Sequence, residues 1–251
     1  MNPSEINAEI SKAANELRMP LFSNYERYTD PRLPFAENLL ALLSEQVDIM
    51  QQNRVARRIK YARFPQIKTL DMFEMSKERL PSLNFEEVKE LAACRFIDEQ
   101  LDIVAIGPPG HGKTHLALAI GYEAARQGYS VKFKRVSDLI NEMREAQTDK
   151  KLADYLRMIN RCQLLILDEM GYLNFDLSAA SLLFQIIGAR YETASTFYTT
   201  NVPFSGWAQF IGDEGLATAI VDRIAHHAVV LNMNGPKGWR LEHAQSGKQG
   251  K

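Results

Sequence analysis

Gly107, Pro108, Pro109, Gly110, His111, Gly112, Lys113 and Thr114 reproduce the spacing G-x-x-x-x-G-K-[ST], which wraps a polyphosphate in backbone N–H groups. A side chain at Gly110 or Gly112 would obstruct that close approach. Lys113 is spaced to reach the β and γ phosphates, and Thr114 to hold Mg²⁺. The apolar run LDIVAI before the loop predicts a strand, and HLALAIGYEAARQG after it predicts a helix. The unpaired amides and positive dipole end of that helix favour anions. Motif and flanks agree, which sets this stretch apart from a chance glycine-rich turn.

About fifty residues further on, LLILDE is an apolar run ending in Asp168 and Glu169. A buried strand that delivers both acids beside the phosphate loop gives them separate tasks. Asp168 would hold Mg²⁺ through water, and Glu169 would orient or polarise an attacking water. Asn201 closes another β-rich run, YTTN, where its amide could meet the γ phosphate or the water; ordinary turn chemistry before Val-Pro is the alternative. Arg223, on a predicted helix far along the chain, is either a surface arginine paired with Asp222 or a finger that stabilises phosphoryl charge in a neighbouring subunit.

A different chemistry is written before residue 70. Between Asp48 and Asp71 no acidic residue occurs, whereas Arg54, Arg57, Arg58, Lys60, Arg63 and Lys68 are basic. On a helix, positions 54, 57, 58 and 61 share a face, setting three arginines beside Tyr61. A solvated face usually mixes signs to gain i,i+4 pairs, so the missing counter-charge points to a phosphate backbone, with Tyr61 free to stack on sugar or base. Among five histidines, His111 and His115 stand at i,i+4, but His111 belongs to the phosphate loop and no third ligand is in view. His226 and His227, adjacent on a predicted helix, are expected to point in different directions.

The elements that position these groups follow from periodicity. Phe35, Leu39, Leu40, Leu42, Leu43, Val47 and Met50 recur at helical spacing after Pro31 and Pro34, and Phe64-Pro65 ends the basic stretch. NFEEVKELAACRFIDEQ predicts one helix with Asn84 as its cap. Beyond it, strands SVKFKRV, QLLILDEMG, STFYTTN and AVVLNM alternate with helices near 138–146, 152–159, 178–191 and 216–226. Such alternation predicts an α/β fold, a parallel sheet covered on both faces. The expected organisation is a helical DNA-binding and assembly domain over 1–69, a catalytic domain over 70–245 and a mobile tail over 246–251.

With 251 residues, 45% hydrophobic and 24% charged, the chain has the composition of a globular protein, and its net charge of -1 hides the local basic segment. Cys94 and Cys162 stand at no metal or redox spacing and are expected as reduced, buried thiols in a cytoplasmic protein. The N-terminus lacks a basic and apolar leader, and no uncharged apolar run approaches the roughly 18 residues of a membrane span. A chain neither exported nor membrane-spanning is expected.

Taken together, GPPGHGKTHLALAIGYEAARQGYSVKF, LLILDEMGYLNFD, SLLFQIIGARYE, LATAIVDRIAHH and RFPQIKTLDMFE resemble the AAA+ ATPases, and more closely the IstB-type helper ATPases of bacterial insertion sequences, relatives of the replicative helicase loader. The resemblance implies Walker A at Gly107 to Thr114, Walker B acids at Asp168 and Glu169, Asn201 at the sensor 1 position and Arg223 as the finger. It also implies ATP and Mg²⁺, binding to double-stranded DNA, a homo-oligomer with nucleotide at subunit interfaces, and stimulation of a transposase encoded by the same element. The chain departs from most AAA+ proteins in leaving little length after Arg223 for a helical lid. Arg240 is the sensor 2 candidate, and adenine contacts are expected around Thr69 to Phe73. A helicase loader and a P-loop small-molecule kinase are the alternatives; the paired acids and Arg223 weigh against a monomeric kinase.

Overall fold

The computed structural model describes residues 1–236, so Arg240 and the tail expected from 246 lie outside the described residues. The chain divides into two compact units, Met1–Arg57 and Arg58–Lys251.

In the first unit, Pro3–Glu16 forms α1, opened by a capping box in which Asn2 and Glu5 satisfy each other's backbone N–H groups. A 3₁₀ segment, Pro20–Tyr28, follows. Helix α2, Phe35–Ala62, begins just after Pro34 and carries Arg54, Arg57, Arg58 and Lys60. Only part of its apolar stripe is covered: Leu42 is buried, while Phe35, Leu40 and Val47 are exposed. Gln46 is buried among them and accepts a hydrogen bond from Leu21 N–H at 3.2 Å.

The second unit starts before residue 69 because Ile59, Ala62 and Phe64 pack into its core. The expected single helix after Asn84 is two: α3, Phe85–Leu91, capped by Asn84, and α4, Arg95–Asp98. Cys94, at φ +59°, takes the left-handed conformation that breaks the helical run. Then come β1 Asp102–Ile106, α5 Lys113–Gln127, β2 Val131–Arg135, α6 Val136–Thr148, α7 Leu152–Asn160, β3 Leu164–Met170, α8 Leu177–Arg190, β4 Ser195–Thr200, α9 Trp207–Ile211, α10 Glu214–His226 and β5 Ala228–Asn232.

All strands are parallel, in the order β2-β3-β4-β1-β5. Alternate residues therefore feed two cores. Ile103, Ala105, Ile166 and Phe197 face a core shared with α3, α4 and α5; Val104, Leu165, Leu167 and Tyr198 face one shared with α6 to α10. Gly128, at φ +115°, ends α5. Among the described residues no helix follows β5. Cys94 and Cys162 are free and buried, and burial pushes the Cys94 thiol up to about 12. No described helix is long and apolar enough to cross a membrane.

Candidate phosphate-binding site

Parallel strands present their carboxyl ends together, and there the predicted site residues meet. Strand β1 ends at Ile106, and Gly107 N–H donates to Thr200 O of β4 at 3.2 Å. A Cβ on Gly107 would sit 2.6 Å from Met233 O, so only glycine lets the segment after β5 cross here. The loop then turns through Gly110 at φ +83° and Gly112 at φ +86°, left-handed conformations that glycine adopts without strain. A Cβ on Gly112 would also lie 2.9 Å from the Phe73 ring.

Lys113 is buried, and its ammonium donates to Gly107 O at 2.6 Å and Pro108 O at 2.9 Å, curling the loop around the charge. His111 bridges Pro109 O and Gly235 O, each at 3.2 Å, which gives it a structural task inside the loop. His115 sits 3.3 Å from Thr69 O and edge-on to Phe73, and burial holds its imidazole below the usual range. The segment Thr69–Phe73 thus lies against the loop and the first turn of α5.

Asp168 is buried and is the meeting point of three elements. Thr114 Oγ1 donates to its Oδ1 at 2.8 Å, and Thr199 Oγ1 donates to the same oxygen at 2.6 Å. A register shift between Leu167 and Met170 separates the two acids. Glu169, at φ +65°, sits in this irregularity within β3, its N–H fixed by Thr199 Oγ1 at 3.0 Å and its carboxylate 3.6 Å from Arg135. Asn201 follows β4, between β3 and β1 in the sheet order, and its Oδ1 is buried without a hydrogen-bond partner among the described residues.

Arg223 is not part of this cluster. Its helix leads into the start of β5, whereas the phosphate loop follows the end of β1, so the arginine belongs to the opposite end of the parallel strands. Its guanidinium lies 4.1 Å over the Phe184 ring, on α8, and not with Asp222. The basic stretch is exposed at Arg54, Arg57, Lys60, Tyr61 and Arg63 and half-buried at Arg58. None of its arginines or its lysine forms an ion pair among the described residues. Tyr61 is less free than expected for stacking, since the Lys132 ammonium lies 4.3 Å over one ring face.

The residues missed by sequence reasoning are Thr199, which orients both acids, and Arg135, which holds Glu169. The hydroxyl of Thr199, two residues before Asn201 in YTTN, is the one signal that could have been followed.

The family model described as IstB-like ATP binding protein matches residues 16–246. The chain belongs to the IstB-like ATP-binding protein family. A relative from insertion sequence IS5376 of Geobacillus stearothermophilus, named for ATP binding, is 39% identical to this IstB-like chain over 209 residues, covering 83% of the chain and 82% of the relative. Among solved structures, AMPPCP-bound DnaA from Aquifex aeolicus is 21% identical and superposes with a TM-score of 0.55, over 72% of this chain and 54% of DnaA. The DnaC helicase loader is 22% identical, with a TM-score of 0.52, over 65% of this chain and 95% of the loader. These likenesses show the AAA+ fold.

Mg²⁺ suits the donors present. The Thr114 hydroxyl and the Asp168 carboxylate are hard oxygens already in contact at the mouth of the loop, the set such an ion takes with waters and phosphate. The two positive-φ glycines and Lys113 likewise suit a polyphosphate.

Proposed function

We infer that this IstB-like chain is an ATP-dependent, DNA-binding AAA+ ATPase that assembles on duplex DNA and stimulates the transposase of its own insertion sequence. The contact of Thr114 with Asp168 carries the reading, because it joins the phosphate loop to the acid pair on β3. The partner assignment is supported by relatives named from insertion sequences.

In this mechanism the loop amides and the α5 N-terminus bind the phosphates, and the Lys113 ammonium exchanges its two carbonyl partners for phosphate oxygens. Mg²⁺, held by Thr114 and Asp168, supplies charge neutralisation when bound. Glu169 swings from exposed Arg135 to orient water and accept its proton as the water attacks the γ phosphorus and the bond to the bridging oxygen breaks. Asn201 positions that water, a role supported by its buried Oδ1, which has no hydrogen-bond partner among the described residues. Arg223, at the far end of the strands from its own phosphate loop, serves the site of the next subunit, so hydrolysis and assembly are linked.

For DNA the support is the exposed, acid-free stretch Arg54, Arg57, Arg58, Lys60, Tyr61 and Arg63. Replacing Arg54, Arg57 and Arg58 together by glutamine is expected to flatten the slope of log affinity against log salt by about 0.9 for each lost phosphate contact, up to about 2.7 for three. Fluorescence anisotropy on a duplex over a salt series measures it; an unchanged slope moves the DNA surface elsewhere.

A further inference from the structure

At the end of the strands away from the phosphate loop, Glu192, His226 and His227 each present one ligand atom, all within 4.8 Å of one another. The expectation that the two histidines point apart fails because the helix ends between them. His226 is the last residue of α10, and His227, at φ −128° and ψ 28°, has already left helical geometry. Their rings come to 4.3 Å between centroids, edge to face. His227 Nε2 lies 2.9 Å from Glu192 Oε1, and the Tyr191 hydroxyl lies 3.0 Å from His226 Nδ1.

The backbone under this cluster is fixed from both sides. Arg190, buried at the end of α8, donates to Ser195 O at 2.6 Å, Thr196 Oγ1 at 3.0 Å and Cys162 O at 3.1 Å, tying the turn that carries Glu192 to β3 and β4. Glu192 sits in that turn at φ +56°, a left-handed position uncommon for a side-chain-bearing residue. On the other side, Asp102 N–H donates to His227 O at 2.9 Å, pinning the α10–β5 junction to β1.

We propose that Glu192, His226 and His227 form a binding site for a first-row transition-metal dication of the Zn²⁺ type, distinct from the Mg²⁺ site at the phosphate loop. Two imidazoles and one carboxylate are the donor set of three-ligand zinc sites, which keep a fourth position for water or a further ligand. Imidazole donors select Zn²⁺, Co²⁺, Ni²⁺ or Cu²⁺ over the oxygen-seeking Mg²⁺. Ligand atoms around a tetrahedral ion with bonds of about 2.0 Å are roughly 3.3 Å apart, so modest side-chain rotation closes the set around an ion. The negative dipole end of α10 adds attraction for a cation. An ion here would staple the α8–β4 turn to the α10–β5 junction one helical turn beyond Arg223. The site stands on its own ligands and not on the ATPase reading.

The test uses the full chain without a histidine tag, stripped with chelator and titrated with Zn²⁺ by calorimetry and with Co²⁺ by absorption. Expected are saturation at about one ion per chain, intense tetrahedral Co²⁺ bands, and no displacement by millimolar Mg²⁺. Glu192→Gln, which keeps the size of the side chain and a hydrogen bond to His227, is expected to fold normally and to bind roughly tenfold or more weakly, as is His226→Gln. Absence of saturable uptake, a Co²⁺ spectrum that stays that of the hydrated ion, or uptake unchanged in both variants would overturn the assignment.

Discussion

Lys113→Ala is expected to lose nucleotide affinity by roughly 100-fold or more. The ammonium is buried at the base of the loop and held by Gly107 O and Pro108 O, so it already lies where phosphate oxygens would arrive. Charge-assisted hydrogen bonds contribute about 1.5–3 kcal/mol each, and losing two gives that factor or a larger one. The fold should tolerate the change, since Gly107 O and Pro108 O, to which the ammonium donates, belong to the loop and not to either hydrophobic core. Equilibrium titration with a fluorescent ATP analogue measures the loss, with thermal unfolding as the control. Affinity within tenfold of the natural chain would remove Lys113 from the site.

Glu169→Gln should separate binding from turnover. The amide has the shape of the carboxylate but cannot accept a proton from water, so hydrolysis is expected to fall by roughly 10²–10⁴-fold while ATP affinity changes little. Asp168 is untouched by this change, because the register shift in β3 directs the two acids apart and Asp168 keeps both hydroxyl donors. Stability should also hold: the pair with Arg135 is long and half-exposed, and exposed pairs contribute about 0–1 kcal/mol. Single-turnover phosphate release checks this. A rate within tenfold of the natural chain would assign the proton to another group.

Much of this site is legible in the sequence because its parts are short-range. The loop from Gly107 to Thr114 and the pair Asp168-Glu169 each need one strand and one turn, and short continuous apolar runs announce those strands. The closure of Asp168 by Thr114 and Thr199 depends on β3 lying next to β4 and β4 next to β1, an order that no local pattern encodes. Left-handed residues were the other blind spot. Cys94 splits the helix after Asn84, and Glu192 folds back toward His227, though neither is the glycine that normally signals such a turn. The closeness of the His226 and His227 rings escapes helical periodicity for a related reason, since α10 ends at His226. On α2, apolar spacing predicted the helix but not how much of the stripe stays exposed.

A triphosphate shared by neighbouring chains is the claim on which the rest depends, and the mass of protein on a short duplex tests it most directly. Mass photometry with and without ATP and Mg²⁺ should show particles of several chains only when nucleotide is present, and Arg223→Ala should fail to form them. Single chains on the duplex whatever the nucleotide, or equal assembly with and without it, would contradict the account.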